Sequence, residues 1–583
     1  MNITDFFLSP SNPMHRQYEA LRSFFIDNHT AEEVANQFGY KKSTVYSLTR
    51  DFQQQLEKKE LKPEHFFHQT KPGRKPSPNI DTIRENIVLL RKKYLSVSDI
   101  KSFLDAQGEN LSERYIHMIL KEEGFARLPR RNKIERQSVN LKNTLEAPKS
   151  VLIENTDDES FNTRAAGLLV FLNLIKQYGI DKTIASSDYP GSKQIPTTNA
   201  ILAFIGLKLS NVCRYSSDDL WCMDRGIGLF AGLNVLPKVA WYTSYSSRIT
   251  RNMNLSFLKA MHKLWIKQNV LSDTINMDFV TVPYWGTEEH LEKNWSGTRH
   301  HALNSILAAL GHDPESGIIT YGNAVVRHEN ESNITVEFLD FYHKSGSHNL
   351  KYLVFDSKFT TYENLGKLDD DNIKFVTIRR RGKKIVEQLN KLPKEDWKCI
   401  RVPASKGKMR PINVNDSLLI VKAYGKDKTI RQIAITGHGK IKPALIITND
   451  FEINASDLVR KYAKRWLVEK TISEQTHFFH LNRLSSSMVI KVDFDLTMTI
   501  LAHNLYRLLA AELPGFQNCT AQTLYEKFIH NEGEVICEKN AITVRLKKKR
   551  NLPLILEAMQ NHKKMKVSWL NNRELKIEAA TIS

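Results

Sequence analysis

Through roughly the first 270 residues, apolar positions recur every three or four residues. Beyond Asp273 the pattern changes to short apolar runs alternating with helical stretches. In "TAEEVANQFGYKKSTVYSLTRDF" (30–52), Thr30 and Glu33 form a capping-box pattern, and Val34, Ala35 and Phe38 share one helix face. Gly39 supplies a tight turn, and Ser43 is placed to cap a second helix whose Val45 and Leu48 face back to the first. The spacing is that of a helix-turn-helix, with a plain helical hairpin as the alternative. The stretch from Ser96 to Phe125 repeats the theme: caps are expected at Ser98 and Ser112, a polar turn through Gly108, and a stop at Gly124. Its core stripe is Ile116, Ile119 and Leu120. From Thr163 to Gln268 the pattern is helical, and apolar spacing explains nearly every position as core.

After Asp273 the spacing predicts a buried strand over Thr274–Val282 and a hairpin turning at Asp313–Gly317. A helix after Asn333, a strand ending at Asp356, a second helix, and a strand at Ile373 follow. Three strands, helix, strand, helix, strand is the order of an RNase H-like domain. Residues 383–450 carry alternating strands such as "IRQIAITG" and "PALIITND", and Asp457–Phe479 reads as one long helix. The expected fold is multidomain α+β: a helix-turn-helix module at 1–70, a second helix-turn-helix or winged-helix module at 71–130, a linker at 131–162, and a helical region at 163–272. An RNase H-like α/β core at 273–382 and 451–513 follows, interrupted by a β-rich insertion at 383–450, with a C-terminal appendage at 514–583.

Composition is that of a soluble globular chain, with 41% hydrophobic and 25% charged residues in 583. The N-terminus has no basic, then apolar, leader pattern, and the run Ala165–Ile175 is too short to span a bilayer. A soluble, cytoplasmic protein with no membrane partner is expected. The five cysteines show no zinc-like spacing and read as buried free thiols. A net charge of +20 attracts polyanions. The charge is clustered at Arg127–Arg136, Arg379–Lys384 and Arg545–Arg550, and in "KPGRKPSP" (71–78), which reads as a charged linker or a minor-groove arm. In the first module Lys41, Lys42, Thr44 and Arg50 lie on the helix that would enter the DNA groove.

Two acids fall where the expected sheet can use them. Asp278 lies in its first strand and Asp356 at the end of the fourth, which neighbours the first in such sheets. Paired carboxylates suit a hard divalent cation, and such ions activate water or a 3′-hydroxyl for phosphoryl transfer. Asp340 falls inside a predicted helix, and Asp369–Asp371 reads as a solvated turn. In the long helix Tyr462, Arg465 and Glu469 stand at i, i+3 and i+7 on one face, while Glu474 falls off it. By itself such a helix reads as a surface helix with an ordinary Arg–Glu pair.

The stretch "YAKRWLVEK" (462–470) resembles the Y-x-x-R-x-x-x-E signature of insertion-sequence DDE transposases. "MDFVTVPYWG" (277–286) and "YLVFDS" (352–357) resemble that family's first- and second-aspartate strands, and "GLNVLPKVAWYTSYSSRI" (232–249) the segment upstream. The resemblance implies that Asp278, Asp356 and Glu469 are catalytic ligands of Mg2+, or of Mn2+ in its place. It further implies that Tyr462 and Arg465 contact element-end DNA, and that a homodimer acts on paired DNA ends in a bacterial, nucleoid-associated setting. The family's lysine seven residues after the glutamate is replaced here by Thr476, with Lys470 and His477 nearby. Trp397 in the insertion reads as a core residue or as a base-stacking one. A catalytically silent DNA-binding regulator and a structure-selective nuclease are the alternative functions.

Overall fold

Thr30 begins the first element the sequence marks. Its hydroxyl accepts from Glu33 N at 3.4 Å, and the Glu33 carboxylate accepts from Thr30 N at 2.7 Å, so both halves of the capping box form. The computed structural model describes residues 12–57, 80–92, 95–106, 109, 111–125, 151–153, 158–213, 221–234, 236–284, 291–296, 301–346, 350–403, 409–439, 442–481, 489–560, 562 and 565–581. The chain divides into two compact units, Met1–Leu145 and Glu146–Ser583.

In the first unit, α1 (Pro13–Phe25), α2 (Ala31–Phe38) and α3 (Lys42–Glu57) pack Ala20, Val34, Ala35, Phe38 and Val45 together. Gly39 turns the chain between α2 and α3 at φ 70°, a left-handed conformation open to glycine at no steric cost. Ser43 does not cap α3. The helix starts one residue earlier, and the Lys41 carbonyl accepts from Thr44 N and Val45 N. Leu48 is only half-buried. A second cluster joins α4 (Ile80–Lys92), α5 (Val97–Ala106) and α6 (Glu113–Glu122) through Ile87, Ile100, Leu104, Ile116, Ile119 and Leu120. Here Ser96, not Ser98, caps α5: its hydroxyl accepts from Asp99 N at 3.2 Å, and Asp99 answers on Ser96 N at 3.0 Å. Ser112 caps α6, and Gly124 ends that segment at φ 78°. Gly108 and the basic runs at 71–78 and 127–136 lie outside the described residues.

The second unit starts with β1 (Glu159–Thr163), then α7 (Val170–Gln177), α8 (Ile180–Ala185), α9 (Thr197–Leu209), α10 (Arg225–Ala231), α11 (Val239–Ser246) and α12 (Arg251–Lys267). Strands β2 (Thr274–Pro283), β3 (Lys293–Ser296), β4 (His301–His312) and β5 (Ile319–Val326) follow, then α13 (Ile334–Lys344), β6 (Tyr352–Phe355), α14 (Tyr362–Asp370) and β7 (Lys374–Ile378). These elements match the predicted order, with β3 added at the edge of β4. Next come α15 (Lys383–Asn390), β8 (Lys398–Pro403), β9 (Met409–Ile420), β10 (Thr429–Thr436) and β11 (Ala444–Thr448). The chain continues through α16 (Ala455–Ala463), α17 (Trp466–His477), α18 (Val489–Glu512) and α19 (Ala521–Leu524). It closes with β12 (Gly533–Cys537), β13 (Ala541–Leu546), α20 (Leu552–Gln560), β14 (Lys566–Val567) and β15 (Arg573–Ala579).

The protein is therefore a mixed α/β molecule built around two mixed sheets. The larger runs β3-β4-β2-β6-β7-β11-β10-β9-β8, with β5 paired to β4. Strands β2, β6 and β7 are parallel, and β11 joins β7 antiparallel, so residues 383–450 extend the central sheet rather than form a sheet of their own. The smaller sheet, β1-β12-β13-β15-β14, unites the start and the end of this unit. One core holds α7 to α12 together with α18 and the C-terminal strands, so residues 514–583 are part of that core and not an appendage. A second core lies between the sheet and α13 and α14, and a third lies beneath α16. Trp397 is half-buried against Leu389, Ala434 and Leu445, as a core residue. Cys537 is buried, but Cys399 is exposed, against the expectation for a structural thiol. No described helix is long and apolar enough to cross a membrane.

Candidate functional site

Parallel pairing of β2 with β6 sets Thr274 opposite Tyr352 and Asn276 opposite Val354. The pairing ends there; Asp278 lies two residues further along β2, Asp356 directly follows β6, and the Asp356 charge acts on Asp278. The face that carries Tyr352 and Val354 is covered by α16, while α17 packs on β2. Asp356 caps a short turn, its Oδ1 accepting from Ser357 N at 2.7 Å. Asp278 Oδ1 accepts from Phe279 N at 2.9 Å.

The expected single helix over Asp457–Phe479 is two helices, α16 and α17, joined at Lys464–Arg465. Arg465 N, Leu467 N and Val468 N each bond a carbonyl three residues back, which tightens the chain there. Asn276 Nδ2 donates to the Lys464 carbonyl at 3.1 Å and ties the junction to β2. The junction places Arg465 over the acids. Arg465 donates through Nη1 to Asp278 Oδ2 and through Nη2 to Glu469 Oε1, the latter at 3.4 Å. Its guanidinium carbon lies 5.5 Å from the centre of the Tyr462 ring.

Burial decides the electrostatics. Asp278 has 15% of its side chain exposed and Arg465 11%, against 52% for Glu469. Desolvation raises the Asp278 carboxyl to about 6; Arg465 and the Phe279 amide oppose the rise, and the charges of Glu469 and Asp356 add to it. Burial likewise pushes the Tyr462 hydroxyl up to about 12. Arg465 is held above its ordinary value, because Asp278 and Tyr462 outweigh the cost of its burial.

The structure thus brings Asp278, Asp356, Tyr462, Arg465 and Glu469 into one neighbourhood. Among the described residues no three His, Cys, Asp or Glu side chains are gathered closely enough to hold a metal ion. The chemistry of the donors nevertheless fits one. The acids offer only hard oxygens, and the position between Asp278 and Glu469 already holds a positive group, the Arg465 guanidinium. The buried Nε of that guanidinium has no hydrogen-bond partner.

Lys470 is exposed; Thr476 Oγ1 bonds the Ile472 carbonyl, and His477 bonds Ser473, so neither of these two reaches the acids. In the first unit Lys41, Lys42 and Arg50 are exposed on or beside α3, and Thr44 is half-buried. Lys42 pairs with Glu32 at 2.8 Å and Arg50 with Asp51 at 3.3 Å. Sequence reasoning missed Asn276, although an amide two residues before Asp278 in an apolar strand was a signal for it.

Residues 274–505 match the family model described as "Transposase DDE domain". That span contains Asp278, Asp356, Tyr462, Arg465 and Glu469, and the resemblance to DDE transposases carried by the motifs is borne out. No curated protein matches the chain. Among solved structures, a cryo-EM synaptic complex of piggyBac transposase with hairpin DNA is similar, at 13% identity and a TM-score of 0.33. The match covers 64% of this chain and 82% of that one.

Proposed function

We propose that this chain, with its transposase DDE domain at 274–505, is a DNA transposase that cuts and joins strands at Asp278, Asp356 and Glu469. The observation that supports the reading is Arg465, which donates to both Asp278 and Glu469 where β2 pairs with the strand that precedes Asp356. On this reading the strand order β5-β4-β2-β6-β7 is an RNase H-like core, and residues 383–450 are the family's β-rich insertion merged into its sheet.

Each group then has a defined task. Asp278 and Asp356 present oxygens from neighbouring strands, and Glu469 approaches from α17. A bound Mg2+ or Mn2+ would supply Lewis acidity for attack of water or a 3′-hydroxyl on a phosphodiester. Arg465 neutralises Asp278 until the DNA arrives, then transfers its guanidinium to a backbone phosphate, with Tyr462 beside it. Lys41, Lys42, Thr44 and Arg50 present α3 to the major groove of the element end, and two copies act on paired ends.

The test is cleavage of duplexes carrying the inverted repeats that flank the coding region. Wild type should nick them only with Mg2+ or Mn2+, and Asp278→Ala, Asp356→Ala and Glu469→Ala should fall to background. Equal nicking by wild type and Asp278→Ala ends the proposal. One observation favours a second reading, the non-cutting DNA-binding regulator: Arg465 already satisfies Asp278 and Glu469. Tight binding of the repeats with no nicking under any divalent ion would select it.

A further inference from the structure

Toward the start of β2, the face that carries Asp278 borders a cavity of about 220 Å3. Its walls include Thr274 and Asn276 from β2, Glu315 from the β4–β5 turn, and Arg460, Lys461 and Lys464 from α16 and the junction after it. The charges there do not cancel. Lys464 pairs with Glu315 at 2.5 Å and Arg460 with Asp457 at 3.3 Å. Among the described residues Lys461 has no carboxylate partner within ion-pair distance. It donates to Thr274 Oγ1 at 3.2 Å, and its ammonium lies 3.7 Å from the centre of the Tyr352 ring.

A half-buried ammonium held by a hydroxyl and an aromatic face keeps its positive charge but has lost much of its water. Burial lowers its affinity for a proton, and the like charges of Lys464 and Lys351 lower it further, while Asp273 and Glu315 work against them. An anion entering the cavity would restore the missing solvation. Four residues of strand separate Thr274 from Asp278, roughly 13 Å, so one DNA strand can lie across both places.

We propose that this cavity is a phosphate subsite for the DNA backbone, in which Lys461 takes a non-bridging phosphate oxygen flanked by Lys464 and Arg460. The inference rests on the reading of the neighbouring acids as a DNA-cutting site, and it adds a backbone contact beyond the Tyr462–Arg465 signature. A free phosphate would satisfy the same lysine, and the test separates the two sources.

The full chain is titrated with a duplex of the element end in EDTA over a series of salt concentrations, and its lysines are acetylated with and without that duplex. Wild type should bind. Lys461→Gln should bind several-fold more weakly, with the slope of log K against log salt reduced by about one, the signature of one lost phosphate contact. Lys461→Arg should restore the slope. Lys461 should be protected from acetylation by the duplex and not by millimolar inorganic phosphate. An unchanged slope in Lys461→Gln, or equal acetylation of Lys461 with and without DNA, overturns the subsite while leaving the cutting site standing. Protection by inorganic phosphate alone assigns the cavity to a free anion and also overturns it. Failure of wild type to bind the duplex sinks the transposase reading itself. If Lys461→Gln does not fold, acetylation of the wild-type chain decides.

Discussion

Asp278 meets two opposed demands. Burial favours its protonated form, at about 6, whereas ligation of a cation needs the carboxylate. Its folded pKa stands above the ordinary carboxylate value. Its share of stability is therefore fully present in acid and is lost as pH rises through about 6, where the charged form is left desolvated. Catalysis runs the other way. Below about pH 6 a proton competes with the cation, so nicking should fall roughly tenfold per pH unit on the acid side. Arg465 opposes the rise, and Arg465→Gln should therefore move the acid limb to higher pH. A pH–rate profile of wild type and variant measures both, and an acid limb that stays in place in Arg465→Gln would show that the guanidinium does not act on Asp278. The placement of Asp278 within β2 and of Asp356 just past β6 was legible because strand period and element order are local signals. The contact of Arg465 with Asp278 was not, because 187 positions separate them and nothing in either segment names the other.

At the scale of elements, the reading failed where a helix end depends on a distant partner. No glycine or proline marks the break between α16 and α17. The Lys464 carbonyl is bound by Asn276, and the chain around it tightens to bonds three residues long. The same logic governs α18. Its Asp493, fully buried, accepts from Arg251 Nη1 at 3.0 Å, Asn254 Nδ2 at 2.8 Å and Ala324 N at 3.0 Å. One carboxylate thereby joins α12, α18 and β5, and so fixes the helical layer against the sheet that carries Asp278. Arg251 has a second, longer contact with Glu337 at 3.5 Å, which cannot replace the first. Asp493→Ala should leave Arg251 without its main counter-charge and cost about 3–5 kcal/mol. Urea unfolding of the isolated Glu146–Ser583 unit reads this directly, and a loss below 1 kcal/mol would mean the pair contributes little to that fold.

For the whole molecule, the division of labour differs from the one that local pattern suggests. Residues 514–583 look like a separate small piece, since their strands are short and polar on one side. Their partner strand, β1, lies more than 350 residues earlier, and its pairing from Glu159 with Cys537 to Thr163 with Gly533 is invisible to any local period. Leu524, Phe528, Val535, Ile542, Val544 and Leu546 are each at most 2% exposed and pack in the same core as α7, α9 and α18. Full burial of each such side chain is worth roughly 1.5–3 kcal/mol, and six of them together match the whole margin of about 5–15 kcal/mol that keeps a typical domain folded. Gly167 tightens the same joint: a β-carbon there would meet the Ile529 carbonyl oxygen at 2.1 Å, so the segment before α7 lies directly on C-terminal backbone. A chain ending at residue 513 should therefore be insoluble or rapidly digested, although every proposed catalytic residue is retained. A chain beginning at Glu146 should fold and resist limited proteolysis, because that unit encloses its own cores. Should the chain ending at 513 instead stay folded and nick DNA, the joint core would be dispensable, and the acids would owe their alignment to the large sheet alone.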